Sequence, residues 1–340
     1  IMIRQTFALA SILAVSSSVP ALAWGTQGHG IINRTAAEAL PASLPAFVRS
    51  PHAAYEITSL GAELDNLKGS GQAWDAQNDP GHFVDVGDDG SIAPGVRLNA
   101  LPATREAYDT ALRAAGADQY KAGYLPYAIL EGWQQVRKDF AYWRVADYRA
   151  SHARTMVDGE FAGLDRDLRG ELVIRDLGVW GHFVGDASQP LHTSVHFNGW
   201  GDFPNPQNFT TARTTHAFFE STFVNRYAKQ VAIAAALPSA NVPAVSNVAV
   251  SQQVALAEIE RYIAASEAQA VPLYRIEKAG GFASASPEAI RFADARLAAA
   301  AAELRDLATW AYEDSLNDKV GYPEQSVRDV LSGAAPPAGQ

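Results

Sequence analysis

The chain has 340 residues, 48% of them apolar and 19% charged, and no cysteine. That length and apolar fraction are enough for a sizeable core and exclude a disordered or collagen-like chain. A formal charge of −10 excludes a basic coat for polyphosphate, whose affinity comes from Lys and Arg. If this protein acts on phosphates, something other than its side chains carries the positive charge.

Residues 1–23 read as a secretory signal peptide. Arg4 is followed by an apolar run from Phe7 to Val15, then Ser16-Ser17-Ser18 and Ala21-Leu22-Ala23, a positive start, a short apolar centre and an A-x-A cleavage site. The serines and Pro20 break the run before the roughly 20 apolar residues a membrane anchor needs. Cleavage after Ala23 leaves Trp24 with a free α-amino group and a secreted or periplasmic product. Secretion favours disulfides; without cysteine, stability must rest on the core or on bound metal.

Apolar residues at helical spacing predict helices over 31–40, 101–115, 125–143, 172–187, 254–270 and 287–316. Period-two alternation is scarce. Loops are marked by Gly69-Ser70-Gly71, by Asp88-Asp89-Gly90, and by 198–208 with its glycines and prolines. The stretch 231–250 is ambiguous, since Pro238 and Pro243 break any helix there. Residues 333–340 read as a flexible tail. With no internal repeat and no dividing linker, the expectation is one mostly α domain over 24–332.

Histidines and carboxylates carry the chemistry. His182-x3-Asp186 is followed by Gln189-Pro190-Leu191-His192. Residues four apart share a helix face, so His182 and Asp186 can grip one ion or two neighbouring ions. Pro190 is expected to end that helix and let His192 fold back toward the same face. His216 and Glu220 form a second i,i+4 pair, and neutral imidazole with carboxylate oxygen suits zinc. A single such pair is commonly no more than a polar helix surface; two pairs with a third His beyond a proline favour a metal site, without giving the ion count. A free amine at Trp24, its carbonyl and the nearby His29 can chelate together. Asp65 with Lys68, and His82-Phe83-Val84-Asp85, are weak signals taken alone.

In this order, Trp24-x4-His29, Asp65, His82, His182-x3-Asp186-x5-His192 and His216-x3-Glu220, the chain resembles the S1/P1 nuclease family and its relatives, the bacterial zinc-dependent phospholipases C. The stretch HFVGDASQPLH, His182 to His192, is the most specific part. The resemblance runs from Trp24 to Glu220, with a looser helical match beyond. It implies a single-domain helical bundle of the phospholipase C/P1 nuclease type with three zinc ions in a cleft. One would be held by Asp65, His82, His182 and Asp186. A second would take the amine and carbonyl of Trp24, His29 and a bridging Asp186, and the third His192, His216 and Glu220. His52, His152 and His196 match nothing in the motif and are expected to be structural or surface groups.

Three Zn²⁺ against Asp65, Asp186 and Glu220 leave a cluster charge of about +3, the positive charge an acidic protein otherwise lacks. The implied activity is hydrolysis of single-stranded DNA or RNA, with 3′-nucleotidase activity alongside. Asp65 would orient or deprotonate the attacking water, Lys68 hold a phosphate oxygen, Phe83 stack on a base and Asp85 accept from its edge. Unstacked bases suit such a pocket. Departures bear on the substrate. Glu220 stands where the eukaryotic nucleases usually have Asp and the phospholipases Glu, and the segment between His192 and His216 lacks the Gly-Gly-Asn stretch of the nucleases. The cysteines of the fungal and plant enzymes are absent too. Gln27, Asn66 and Asp79 stand where the phospholipases use an acidic residue and two aromatics for choline. The expected substrate is nucleic acid or nucleotides, with phospholipid and a non-catalytic zinc-binding role as alternatives. No obligate protein partner is expected, and the chain is expected to be a monomer.

Overall fold

The computed structural model describes residues 24–243 and 248–334. The expected leader, part of the ambiguous 231–250 stretch and the last six residues lie outside them. Six long helices carry the architecture: α1 Gly25–Glu38, α2 Pro51–Leu60, α3 Leu125–Ser151, α4 Met156–Asp186, α5 Val248–Glu267 and α6 Pro287–Asp314. Among the described residues, paired strands are limited to two short hairpins, Ser91–Ala93 with Val96–Arg97 and Lys319–Val320 with Gln325–Ser326. The protein is mostly α, as its periodicity indicates. No helix among the described residues is long and apolar enough to cross a membrane.

Local chemistry sets the helix starts. Ser50 accepts from the Ala53 amide ahead of Pro51, Thr155 from that of Asp158, and Ser286 from that of Ala289 ahead of Pro287, three side-chain caps, the first and last backed by proline in the first turn. The helix expected over 101–115 begins instead at Arg105, where the Thr104 hydroxyl caps it. Two expected helices are fragments of longer ones: 125–143 lies in α3 and 172–187 in α4. Nor does Pro190 end α4. The helix stops at Asp186 with Ala187 as its cap, and Pro190 opens a separate 3-10 turn over Pro190–His192.

α3 and α4, joined by a four-residue turn, pack along much of their length, and α6 packs against both as well as against α1. Trp133 of α3 and Trp310 of α6 meet with ring centroids 4.8 Å apart. Alanines buried along α6, among them Ala298, Ala301, Ala308 and Ala311, combine high helix propensity with little bulk, so a central helix can pass close to its neighbours. A second cluster gathers Trp24, Phe219, Phe223 and Phe282 around the start of α1. The first two residues of the expected tail close the last short helix: Gly333, at φ +74°, donates to the Val330 carbonyl and Ala334 to that of Asp329, a left-handed glycine cap.

Candidate metal centre

Two glycines decide how closely α1 approaches α4. Gly181 and Gly185 lie four apart on α4, facing Asn33 and His29, four apart on α1. A Cβ at Gly181 would stand 2.2 Å from Asn33 Oδ1, and one at Gly185 would stand 3.0 Å from His29 Nδ1. Asn33 Nδ2 donates to the carbonyls of Ile57 and Gly178, both at 2.8 Å, tying α1, α2 and α4 together. His29 is thereby stacked on His182, with centroids 3.9 Å apart, and its Nε2 lies 3.4 Å from Asp186 Oδ1.

Backbone carbonyls orient the next imidazoles. His182 Nδ1–H donates to Gly61 O at 2.8 Å, leaving the Nε2 lone pair 3.4 Å from Asp186 Oδ2 and 3.7 Å from Asp65 Oδ1. His82 Nδ1 is 3.0 Å from both His182 Nε2 and Asp186 Oδ2. His192 Nδ1–H donates to His82 O at 2.7 Å, so its Nε2 faces Glu220 Oε2 at 3.4 Å, while His216 Nε2 is 2.8 Å from the same oxygen. Glu220 sits in a π-helical turn, Phe218–Phe223, a distortion frequent at functional sites. Gln189 steadies it: Nε2 donates to Glu220 Oε2 at 3.1 Å while Oε1 accepts from the Leu191 amide.

Three groups of ligand-type atoms result: His29, His182 and Asp186; Asp65, His82 and His182; and His192, His216 and Glu220. Within each, the atoms lie inside 4.8 Å of one another and every residue is buried. Bonds of 2.0–2.1 Å at tetrahedral angles put neighbouring ligand atoms about 3.3 Å apart, and most of the separations above fall near that value. Both ring nitrogens of His29, Asp65 Oδ2, Asp186 Oδ1 and Glu220 Oε1 are buried without a hydrogen-bond partner. Such orphans are costly in a protein interior, and a cation among them would satisfy them. The donor set therefore fits metal ions.

Charge within the cluster agrees. Burial lowers His29 well below the ordinary imidazole range and takes His82 to about 3, keeping both neutral and able to ligate. Burial also opposes charge on His182 and His192, but Asp186, with Glu220 beside His192, outweighs it and both rise. Asp186 and Glu220, despite burial, are held low by the facing imidazoles. Without metal, protons on His182 and His192 balance the buried carboxylates; cations would take over that role.

The remaining predicted residues border this cluster. Lys68 Nζ lies 3.1 Å from Asp65 Oδ1 and 3.9 Å from Asp79 Oδ1. After the 3-10 turn Asp79–His82, residues 83–86 run extended between two neighbours, with the Val84 amide donating to His192 O, that of Asp85 to Ala122 O and that of Val195 to Val86 O. Alternation along this segment buries Val84 and Val86 and leaves Phe83 and Asp85 half-buried on the other side. Burial raises the Asp85 carboxyl to about 7. Trp24 is fully buried; its indole N–H donates to Gly185 O at 2.8 Å and its carbonyl accepts from the Gly28 amide, the residues that immediately precede Asp186 and His29 in the chain.

The other three histidines stand apart. His52 and His152 are exposed, His52 beside Glu56 and His152 stacked on Tyr148. His196 is buried: its Nδ1–H donates to Trp200 O, and its Nε2 lies 3.0 Å from Asp88 Oδ1, joining the 196–200 turn to the Asp88-Asp89-Gly90 loop. Asn33, Gly181, Gly185 and Gln189 were not singled out in the sequence. The signal for the glycines was there, since they repeat the four-residue spacing of His182 and Asp186 one position earlier. Comparison with known proteins yields no matching family model and no matching curated protein. The fold and site define a mostly α protein with buried His, Asp and Glu groups that could hold metal ions.

Proposed function

We propose that the protein is a secreted zinc-dependent phosphodiesterase acting on single-stranded nucleic acid. The observation that carries this reading is the adjacency of the three buried donor groups to a nearly buried lysine and to an aromatic–carboxylate pair on one side of an extended segment. Zinc ions would be held by Asp65, His82, His182 and Asp186; by His29, Asp186 and the amine and carbonyl of a processed Trp24; and by His192, His216 and Glu220. Bound there, zinc supplies Lewis acidity at phosphoryl oxygen and brings the pKa of water toward neutrality. Asp65, whose Oδ2 has no hydrogen-bond partner, orients the attacking water and accepts its proton. Lys68 swings from Asp65 to a non-bridging phosphate oxygen. Phe83 stacks on the base and Asp85 accepts from its edge.

One panel tests this reading: single- and double-stranded DNA, RNA, a 3′-mononucleotide and phosphatidylcholine, offered to the same preparation. Cleavage of single strands is expected to dominate. Rapid phosphatidylcholine hydrolysis with inert single-stranded DNA would assign the site to phospholipid, and no hydrolysis by zinc-loaded protein would leave a binding protein. Loss of base stacking costs roughly 1–3 kcal/mol, so Phe83→Ala should slow single-strand cleavage about 5- to 150-fold. Hydrolysis of bis-nitrophenyl phosphate, which offers no base, should stay nearly unchanged. Equal losses on both substrates would make Phe83 a support of the fold or the metal site.

Gly185→Ala probes the α1–α4 approach. The added methyl meets the His29 ring at 3.0 Å and should displace it from Asp186. The expected result is loss of one zinc equivalent per chain on dialysis, with the helical circular dichroism unchanged; full retention would show that α1 can shift to accommodate the methyl.

A further inference from the structure

Over its first fourteen residues, Met156 to Arg169, α4 buries no side chain. Val157 is 60% exposed, Phe161 69%, Leu164 62% and Leu168 52%. Their spacings of four, three and four residues put all of them within an arc of about 60°. The face that turns inward further along, Gly170, Val173, Ile174 and Leu177, lies on the opposite side of the helix, and Arg169, on the flank between the two faces, covers the Tyr142 ring of α3. The four apolar side chains therefore point away from the body and form a coiled-coil seam lacking its second helix. Charged residues stand at both ends of the stripe: Glu171 continues the helical spacing, and Arg154 lies outside the helix, just ahead of the extended Thr155 cap. Neither side chain has an ion pair or hydrogen bond among the described residues.

We propose that α4 pairs antiparallel with α4 of a second copy, about a two-fold axis between Phe161 and Leu164. In that register Phe161 faces Leu164 of the other chain, Val157 faces Leu168, and Arg154 faces Glu171. Parallel pairing would instead set Arg154 against Arg154 and Glu171 against Glu171. The stripe offers on the order of 500 Å² per chain, so pairing removes about 1,000 Å², the lower bound for a specific interface. The dimer is weak, and the monomer expected from the sequence holds only at low concentration. Acidic residues flank the seam; Asp165 and Asp167 are paired with Arg169 and Arg166 of the same helix, while Glu160 is not. A lipid surface fits less well, because interfacial helices flank their apolar face with Lys and Arg.

Sedimentation velocity on the zinc-loaded chain beginning at Trp24, from about 1 to 500 µM, tests the pairing. The expected result is a concentration-dependent dimer. Phe161→Glu should weaken it at least about tenfold at unchanged melting temperature and zinc content. Arg154→Glu and Glu171→Arg should each weaken it, and the double variant should restore it. A wild-type protein that stays monomeric throughout overturns the proposal, as does a dimer indifferent to Phe161→Glu. Flotation of a monomer with phosphatidylcholine vesicles also overturns it, in favour of lipid.

Discussion

On the proposed three-zinc reading, Asp186→Asn is expected to cut the bound zinc from about three ions to one and to lower phosphodiester hydrolysis by more than the roughly 10–100-fold typical when a group that only orients a metal ligand is changed. Asp186 is fully buried and lies within 3.4 Å of a ring nitrogen of each of His29, His82 and His182. The amide keeps the shape but removes the charge on which two of the three donor groups converge. The third group, His192, His216 and Glu220, has its own carboxylate and should keep its ion. Elemental analysis alongside bis-nitrophenyl phosphate hydrolysis checks both parts. A variant that retains three ions would show that Asp186 is not the shared ligand.

Chelation should lower the melting temperature by at least about 10 °C. Each ion present at a thousandfold its dissociation constant adds about 4 kcal/mol, and a domain of this size shifts by about 2–4 °C per kcal/mol. The gap between loaded and chelated protein should widen from pH 6.5 to 8. His182 and His192 titrate above the ordinary imidazole value in the metal-free fold, so the stability they contribute is fully present below about pH 6.5 and is lost as pH rises through their folded values. Asp85, at about 7, and Glu303, raised by burial to about 8, hold protons in the fold that the unfolded chain has already released; lying outside the donor groups, they tilt both curves downward with pH and leave the gap to the histidines. His29 and His82 are neutral in the fold over this range; the unfolded chain's imidazoles shed their protons just above pH 6.5, so the opposing slope these two add is confined to the start of the interval. Zinc needs deprotonated imidazoles, so its affinity rises over the same interval. Scanning calorimetry with and without chelator reads both curves; a gap that narrows toward pH 8 would refute this account.

Much of the centre could be read from the linear order of residues because its elements are local. The i,i+4 pairs His182/Asp186 and His216/Glu220 share a helix face whatever surrounds them, and Phe83-Val84-Asp85 alternates sides as soon as it is extended. The mostly α class followed equally from periodicity, which survives wherever one face of a helix is buried and the other wet. The same rule explains the errors. α4 is buried on several sides near its C-terminal end and apolar on its outward side near its start, so the 172–187 signal covered only half of it. The early turns of α1 were missed because His29 and Asn33 are buried polar residues that interrupt the apolar pattern.

Other features depend on the fold alone. Which donor groups share His182 and Asp186 is decided where α1, α4 and the 79–82 turn come together, through the missing side chains of Gly181 and Gly185. The choice of ring nitrogen at His182 and His192 belongs to the carbonyls of Gly61 and His82, more than a hundred residues away along the chain. Residue identity and spacing set which atoms could ligate. Long-range backbone hydrogen bonds and close helix contact determine where those atoms point, because only packing fixes distances between segments so far apart in sequence.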